Sequence, residues 1–338
     1  MCSNFSKLAL RSKLNNWFIM AVLCPIAMVG QKEEIPADSV YKLSFPQQFT
    51  TRLSLSTSYN DFYINDQGND LEYVVTPETE ASLTLSLLFR SVELDLGFTP
   101  KLFKDKNSEV DTEKLVFNFR MYLGQWIQSL DFYNIEGFVL DQANFELGEE
   151  FDGIFADLKV TKIGGTTGYV FNPNYSFRAI SFQNEWQTRS AGSFIPRLSY
   201  YFTRLKIPGE EEDDYFDLTA GPAYFYTWVI ARNWIVAGGA SAGIGVNHTR
   251  TRSFLTGESN SFTGINYQLG GRIALGYNSK RVYTGINLAS DYFIHSSGQS
   301  VRLDDRQNFF EIYFGYRFDA PQFMLDAADW FNNLIGWE

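Results

Sequence analysis

SLTLSLLFRSVELDLGF, residues 82–98, is the stretch of sequence that decides the fold. In its first half leucine and phenylalanine alternate with serine and threonine, and in its second half they alternate with Glu93, Asp95 and Gly97. Successive side chains of a β-strand point to opposite faces, so each half predicts a strand with one apolar and one polar face. Arg90-Ser91 between the two halves predicts a tight turn, and therefore an antiparallel hairpin.

The same alternation recurs along most of the chain. It marks thirteen candidate strands: 50–62, 80–90, 91–100, 112–123, 126–141, 163–173, 175–188, 192–206, 215–230, 233–249, 260–277, 281–295 and 306–318. Short and long connections alternate between them, except around 175–206. Single-chain bacterial barrels usually have an even number of strands. We therefore expect one segment, in 175–206 or 50–62, not to be a strand, which gives twelve strands, with fourteen as the alternative.

Two architectures can use strands of this kind, a soluble sandwich and a membrane barrel. The candidate strands run to about 10–15 residues, against roughly 5–6 in soluble proteins and about 9–11 for a tilted membrane strand. Aromatic residues such as Trp126, Tyr224, Trp228 and Trp234 cluster at strand ends, as they do at membrane interfaces. The sequence predicts an all-β protein, a transmembrane antiparallel up-and-down β-barrel over residues 50–319.

Composition excludes several other classes of protein. Aromatic residues make up 17% of the 338, which excludes global disorder. Asp and Glu total 39 against 28 Lys and Arg, so a nucleic-acid partner, which requires a basic face, is not expected.

The N-terminus has the pattern of a secretory signal. Residues 1–16 are basic, and the apolar run 17–29 is shorter than the roughly 20 residues of a membrane helix. We expect residues 1–30 to be a cleaved signal peptide that carries both cysteines, and residues 31–49 to be a periplasmic segment. The predicted location is the outer membrane of a Gram-negative bacterium.

The C-terminus fits this location. Residues 309–318, FFEIYFGYRF, predict a closing strand with an aromatic end, of the kind that barrel-assembly machinery recognises. Apolar residues at helical spacing in 320–338 predict a short amphipathic tail helix at the periplasmic rim.

Several stretches resemble one known family. They are LTLSLLFRSVELDLGFTP, DFYNIEGFVL, FADLKVTKIGGTTGYVFNPNYSFRAISFQNEWQTRSAGSF and GYRFDAPQF. They are similar to a Bacteroidota family of outer-membrane β-barrels catalogued as a domain of unknown function, and the similarity covers most of residues 40–325. The resemblance implies the barrel fold and the outer-membrane location, and it transfers no catalytic residue.

Catalytic candidates are few. His295 ends a strand on its polar face, with Asp291 on the same face and Ser296 and Ser297 following; a hydrolase would use them as base, orienting carboxylate and nucleophile. His248, with Thr249 beside it, would serve a lipid-facing alternative. Neither set has a matching motif, and we expect no catalytic residue, no cofactor and no metal site.

Charged residues fall on the predicted lumen face. They are Glu93, Asp95, Arg120, Asp131, Arg272, Asp291, Glu311 and Arg317. They are either a selectivity lining or the paired charges of a sealed interior, and a twelve-strand barrel leaves little spare lumen. The acidic run 210–214 is interpreted as a solvated loop, and the glycine-rich stretch 164–168 as bends in a strand.

The resulting functional hypothesis is an outer-membrane barrel of non-enzymatic role, either a narrow channel or a structural, partner-docking barrel. The alternative is an outer-membrane lipid hydrolase or acyltransferase that uses a rim histidine. The expected partners are outer-membrane lipid, the assembly machinery during insertion, and a small solute or protein that the sequence does not identify.

Overall fold

The computed structural model describes residues 41–335, except 67–70, 78–80, 101–102, 104–109, 111, 144–152, 182–184 and 296–300. The predicted signal peptide and both cysteines lie outside these ranges. The strands are β1 Lys42–Ser44, β2 Gln48–Asp66, β3 Leu71–Thr76, β4 Ser82–Phe89, β5 Val92–Phe98, β6 Glu113–Leu123, β7 Trp126–Ala143, β8 Ile154–Tyr169, β9 Glu185–Gln187, β10 Ala191–Ile207, β11 Glu211–Ala231, β12 Trp234–Ser253, β13 Ser259–Asn278, β14 Val282–His295 and β15 Val301–Asp319. A 3-10 turn spans Phe177–Ser181, and helix α1 spans Gln322–Ile335. In these ranges no helix has both the length and the apolar character to cross a membrane.

Twelve antiparallel strands close into a barrel. The circuit runs β2-β4-β5-β6-β7-β8-β10-β11-β12-β13-β14-β15, and β15 pairs with β2 along its whole length, from Val301↔Asp66 to Asp319↔Gln48. The predicted count of twelve is confirmed. The segment 175–188 is the one that is not a barrel strand, whereas 50–62 is a strand and extends to Asp66.

The barrel has two different ends. The short connections 90–91, 124–125, 232–233 and 279–281 lie at one end, which we call the turn end; the opposite end is the loop end. Toward the loop end, β3 pairs with β2 at Phe62–Asp66 and with β7 at Val139–Ala143, while β4 pairs with β2 only at Phe49–Ser56. The single short strand β3 therefore replaces β4, β5 and β6, and the circuit narrows from twelve strands to ten in the described part of the chain.

Two other sequence interpretations need correction. The candidate strands 126–141 and 163–173 predict a long connection over 142–162, but β7 extends to Ala143 and β8 already begins at Ile154. The acidic run 210–214 is not a loop, because Glu211–Asp214 begin β11 and pair with Arg250–Ser253 of β12. Arg204 and Arg252 contact its carboxylates, at 2.6 Å from Asp214 and 3.3 Å from Glu212 respectively, which allows consecutive acids to lie in a strand.

The apolar face of the strands points outward. Leu85, Leu96, Leu269 and Ile273 lie on the outside with 42–60% of their surface exposed. Inward positions of the barrel strands are often polar, as at Thr50, Arg52, Ser54 and Ser56 of β2, which are all buried. A sandwich would bury these apolar rows, so this surface is that of a lipid-facing barrel.

Outward aromatic residues concentrate at the turn end. Trp126 packs edge-on against Tyr169, with ring centroids 4.9 Å apart, and Trp234 against Tyr277 at 5.4 Å. Amphipathic rings at this level match the interfacial girdle of membrane barrels. Helix α1 lies at the same end, where Asp329 forms an ion pair with Arg90 of the β4–β5 turn at 2.5 Å.

Candidate functional site

A plug crosses the lumen at the turn end. It consists of residues 41–44, with β1, and of the described residues of 170–190, with the 3-10 turn and β9; β1 and β9 pair with each other. Tyr175, Ile180 and Trp186 are at most 2% exposed. They belong to the interior because the segment folds back into the barrel and does not continue the wall.

The plug is bonded to itself and to the wall. The Gln187 side chain donates to the carbonyl of Asn174 at 3.0 Å and accepts the Ser176 amide N–H at 2.7 Å. Asn278 of β13 donates to the carbonyl of Glu185 at 3.2 Å, and the Arg178 guanidinium lies 3.5 Å from the Glu185 carboxylate. Buried amides with satisfied hydrogen bonds hold a segment in one conformation, so the plug is fixed within the lumen at the turn end.

An apolar collar occupies the lumen at the loop end. Its buried members come from β2, β3, β7, β8, β10 and β11: Phe62, Val75, Ile135, Phe138, Leu158, Val160, Leu205 and Tyr215. They meet because the circuit has narrowed at this level. Side chains therefore obstruct both ends of the barrel.

Between plug and collar lies a cavity of about 200 Å³. Phe177 of the plug and Phe225 of β11 are among its lining residues, as are the polar side chains of Ser129, Ser241 and Gln268. This volume is below the ~300–1,000 Å³ of sites for drug-sized ligands, and fits a solute of amino-acid size.

One wall of the lumen carries a paired charge network. The Arg52 guanidinium lies 3.5–3.9 Å from the carboxylates of Glu93, Asp95 and Glu311, and Arg120 lies 2.9–3.0 Å from Asp95 and Glu93. Two arginines thus face three carboxylates, with Arg52, Glu93, Asp95 and Glu311 buried. These contacts pair the charges within the wall, as in a sealed interior.

Next to this network, Asp131 of β7 faces the cavity. Its carboxylate accepts hydrogen bonds from the hydroxyls of Tyr201, at 3.0 Å, and Ser129, at 3.3 Å. Both donors are neutral. Lys162 of β8 forms its ion pair with Asp305 at 2.8 Å, which leaves that lysine paired.

The opposite wall carries charged side chains that, among the described residues, are not joined in ion pairs. Arg197 of β10 and Arg272 of β13 line the cavity, and within the described residues neither forms an ion pair. Arg197 donates to the Ser241 hydroxyl at 3.3 Å. Asp291 of β14 interacts electrostatically with both arginines, but no described residue hydrogen-bonds to its carboxylate. These side chains face the cavity with part of their hydrogen-bonding capacity unused.

All eight sequence-predicted lumen residues point inward. Arg120, Asp131, Arg272 and Asp291 line the cavity, Glu93, Asp95 and Glu311 belong to the paired network, and Arg317 lies near the plug, 4.5 Å from the Phe45 ring. The sequence interpretation missed Arg52 and Arg197. Each occupies an inward position of a predicted strand, Arg52 in 50–62 and Arg197 in 192–206. The alternation along these strands was therefore sufficient to predict that both side chains face the lumen.

The structure places His295 beside Asp217 and not beside Asp291 of the predicted set. Nε2 of His295 pairs with Asp217 at 2.9 Å, and Asp217 also accepts hydrogen bonds from Asn247 and Asn266. Asp291, the expected orienting carboxylate, lies four residues earlier at the cavity, and Ser296 and Ser297 lie outside the described residues.

The lipid-facing set is separated as well. His248 points outward, and its Nδ1 is 2.8 Å from the Thr263 hydroxyl. Thr249 is on the other face of β12, where it is 2% exposed and donates to Asn247.

Comparisons with known proteins return one family and several barrels. Residues 36–318 match the family described as domain of unknown function DUF4421. No curated protein matches the chain. A solved structure of a COG4313 outer-membrane channel from Pseudomonas putida F1 is similar, with 11% identity, TM-score 0.36, and coverage of 85% of this chain and all of that one.

Two further solved structures are similar to this chain. One is OmpT, an outer-membrane protein of Vibrio cholerae, with 9% identity and a TM-score of 0.31; the match covers 80% of this chain and 98% of OmpT. The other is the P. putida toluene transporter TodX, with 9% identity and a TM-score of 0.30; the match covers 82% of this chain and 92% of TodX.

Proposed function

The chain belongs to the DUF4421 family, and we propose that it is an outer-membrane barrel of non-enzymatic role: a narrow channel for a small polar solute, held closed by its plug and collar. The outward apolar rows support the membrane location, because an exposed surface of this kind requires lipid around it. The predicted signal peptide and closing strand are consistent with an outer-membrane route.

One observation carries the channel function. The lumen holds a cavity bordered by Arg197, Arg272 and Asp291, which the wall leaves without ion pairs in the described ranges, while Arg52 and Arg120 show that paired charges are available to this fold. A purely structural interior gains nothing from charged groups with unused hydrogen bonds, since their desolvation costs free energy. A binding site for a passing solute requires such groups, because their unused hydrogen bonds are made to the solute.

The test is conductance in planar bilayers. The full chain would be compared with a linker variant, in which residues 174–181 are replaced by a Gly-Ser linker of equal length and the collar residues Phe62 and Phe138 are replaced by alanine. We expect low conductance in the full chain and a several-fold rise in the linker variant. A control with Trp330→Ala and Phe331→Ala in α1, outside the lumen, should match the full chain. If neither the full chain nor the folded linker variant conducts, the channel function is overturned and a structural, partner-docking barrel remains.

The alternative function, a lipid hydrolase or acyltransferase, rests on the His248–Thr263 contact at the outer surface. Its test is incubation of the protein in micelles with phospholipid and lipid A, with the double variant His248→Ala, His295→Ala as control. We expect unchanged lipid. Turnover that the double variant abolishes would establish the enzyme instead.

A further inference from the structure

Apart from Lys162, which lines the cavity but is paired with Asp305 at 2.8 Å, the charges around the cavity are arranged in two opposed groups. The network of Arg52, Arg120, Glu93, Asp95 and Glu311, with Asp131 beside it, lies on β15, β2, β5, β6 and β7. It holds two positive and four negative groups. Arg197 and Arg272 lie on β10 and β13 across the lumen, with Asp291 as the nearby acid on β14. One wall is therefore net negative and the other net positive.

We propose that the cavity binds a small zwitterion, a molecule with one carboxylate and one ammonium group, of the size of a free amino acid. The carboxylate would lie between the guanidinium groups of Arg197 and Arg272, whose planar donors suit a carboxylate. The ammonium group would face Asp131, whose described hydrogen-bond donors are both neutral hydroxyls. This proposal rests on the proposed channel function and names its solute class.

The remaining lining suits such a molecule. Phe177, Phe225 and Phe293 contribute apolar surface next to the charged groups, and the hydroxyl of Ser241 and the amide of Gln268 add hydrogen-bonding capacity. A solute with a single charge would leave one of the two walls uncompensated. A solute with both charges compensates each wall, and it is held in one orientation across the lumen.

The experiment is isothermal titration calorimetry of the full chain in detergent with three matched probes. L-leucine carries both charges, 4-methylpentanoate lacks the ammonium group, and 3-methylbutylamine lacks the carboxylate. We expect saturable binding of leucine and at least tenfold weaker binding of the other two. Arg272→Gln and Asp131→Asn should each weaken leucine binding at least tenfold, while Arg306→Gln, a change on the outward face of β15, should leave it unchanged.

Equal affinity for 4-methylpentanoate, absence of leucine binding at millimolar concentrations, or undiminished binding by folded Arg272→Gln and Arg197→Gln variants would overturn the proposal. Folding of each variant is checked by circular dichroism, and Arg197→Gln replaces Arg272→Gln if the latter does not fold. Binding in detergent does not depend on conduction. If the barrel binds leucine but never conducts, the channel function is refuted and the zwitterion site is supported. If the barrel conducts but binds no zwitterion, the zwitterion site is refuted and the channel function is supported.

Discussion

The ring of Phe177 in the plug stands edge-on to the ring of Phe225 in β11, with centroids 5.5 Å apart and an interplanar angle of 86°. Both residues line the cavity, so this contact joins plug and wall at the boundary of the lumen. Edge-to-face aromatic pairs contribute roughly 0.5–1.5 kcal/mol beyond their buried area. The closure at the turn end thus includes one specific, modest contact.

We therefore expect Phe177→Ala to raise conductance in planar bilayers while the barrel remains folded. The substitution removes the ring between cavity and turn end, while the hydrogen bonds of Gln187 and Asn278 that hold the plug remain. The matched control is Phe171→Ala, at the start of the plug, where the ring is 58% exposed. Equal conductance of both variants would show that Phe177 does not obstruct the path.

The second prediction concerns the contribution of Arg52 to the stability of the barrel. Arg52→Met leaves Glu93, Asp95 and Glu311 with Arg120 as the remaining cation of the network. Breaking a buried ion pair by removing one partner costs about 3–5 kcal/mol. We expect a clear fall in the urea midpoint of unfolding in detergent.

Glu311→Gln is the contrasting variant for Arg52→Met. It removes one of three carboxylates facing two arginines and keeps an oxygen that can accept from Asn287, which donates to Glu311 at 2.8 Å. We expect a much smaller change in the midpoint. Equal losses for the two variants would mean that the network is stabilised by packing, not by charge balance.

A third prediction concerns the glycine-rich stretch of β8. A Cβ added at Gly165 would lie 2.0 Å from the carbonyl oxygen of Ser129, whereas one added at Gly271 meets nothing within 4 Å. Backbone cannot yield as a flexible side chain can, so Gly165→Ala should separate β7 from β8 locally. We expect Gly165→Ala to lower the fraction of protein that folds into the barrel, and Gly271→Ala to leave that fraction unchanged. The fraction is measured by heat-modifiable migration in gels. Normal folding of Gly165→Ala would show that the two strands can move apart freely.

Period-two alternation was sufficient to predict most of the wall. It gave the inward position of every predicted lumen residue, because parity along a strand fixes the face once one position is known. It failed at 175–188, where Tyr175 and Trp186 also suit a strand pattern but are buried within the lumen. A segment that folds into a barrel is apolar on the side facing the wall, and local periodicity does not distinguish it from the wall itself.

The parts that depend on distant contacts were also missed. β3 has six residues and lies within a predicted connection, and its pairing with β7 is set by chain more than sixty residues away. His295 was assigned to Asp291 because the two share a strand face, whereas its partner Asp217 comes from β11. Barrel curvature brings these strands together across the lumen, which sequence spacing does not reveal.

The orientation of the apolar face gives the last prediction. Ile273 lies on the outward face of β13 and is 60% exposed, and Leu255 lies in the β12–β13 connection and is 76% exposed. If the outward face met water, replacing either residue by lysine would have little effect on the free energy of unfolding, since both side chains are already exposed. In a bilayer, lysine on the lipid face near the midplane costs about 2–4 kcal/mol, and close to nothing near or beyond the interface. We expect Ile273→Lys to lower the unfolding midpoint in lipid vesicles and Leu255→Lys to leave it unchanged. If both lysine variants are equally stable and the protein stays dispersed without detergent, the outward rows do not face lipid, and the membrane location and the channel are both refuted.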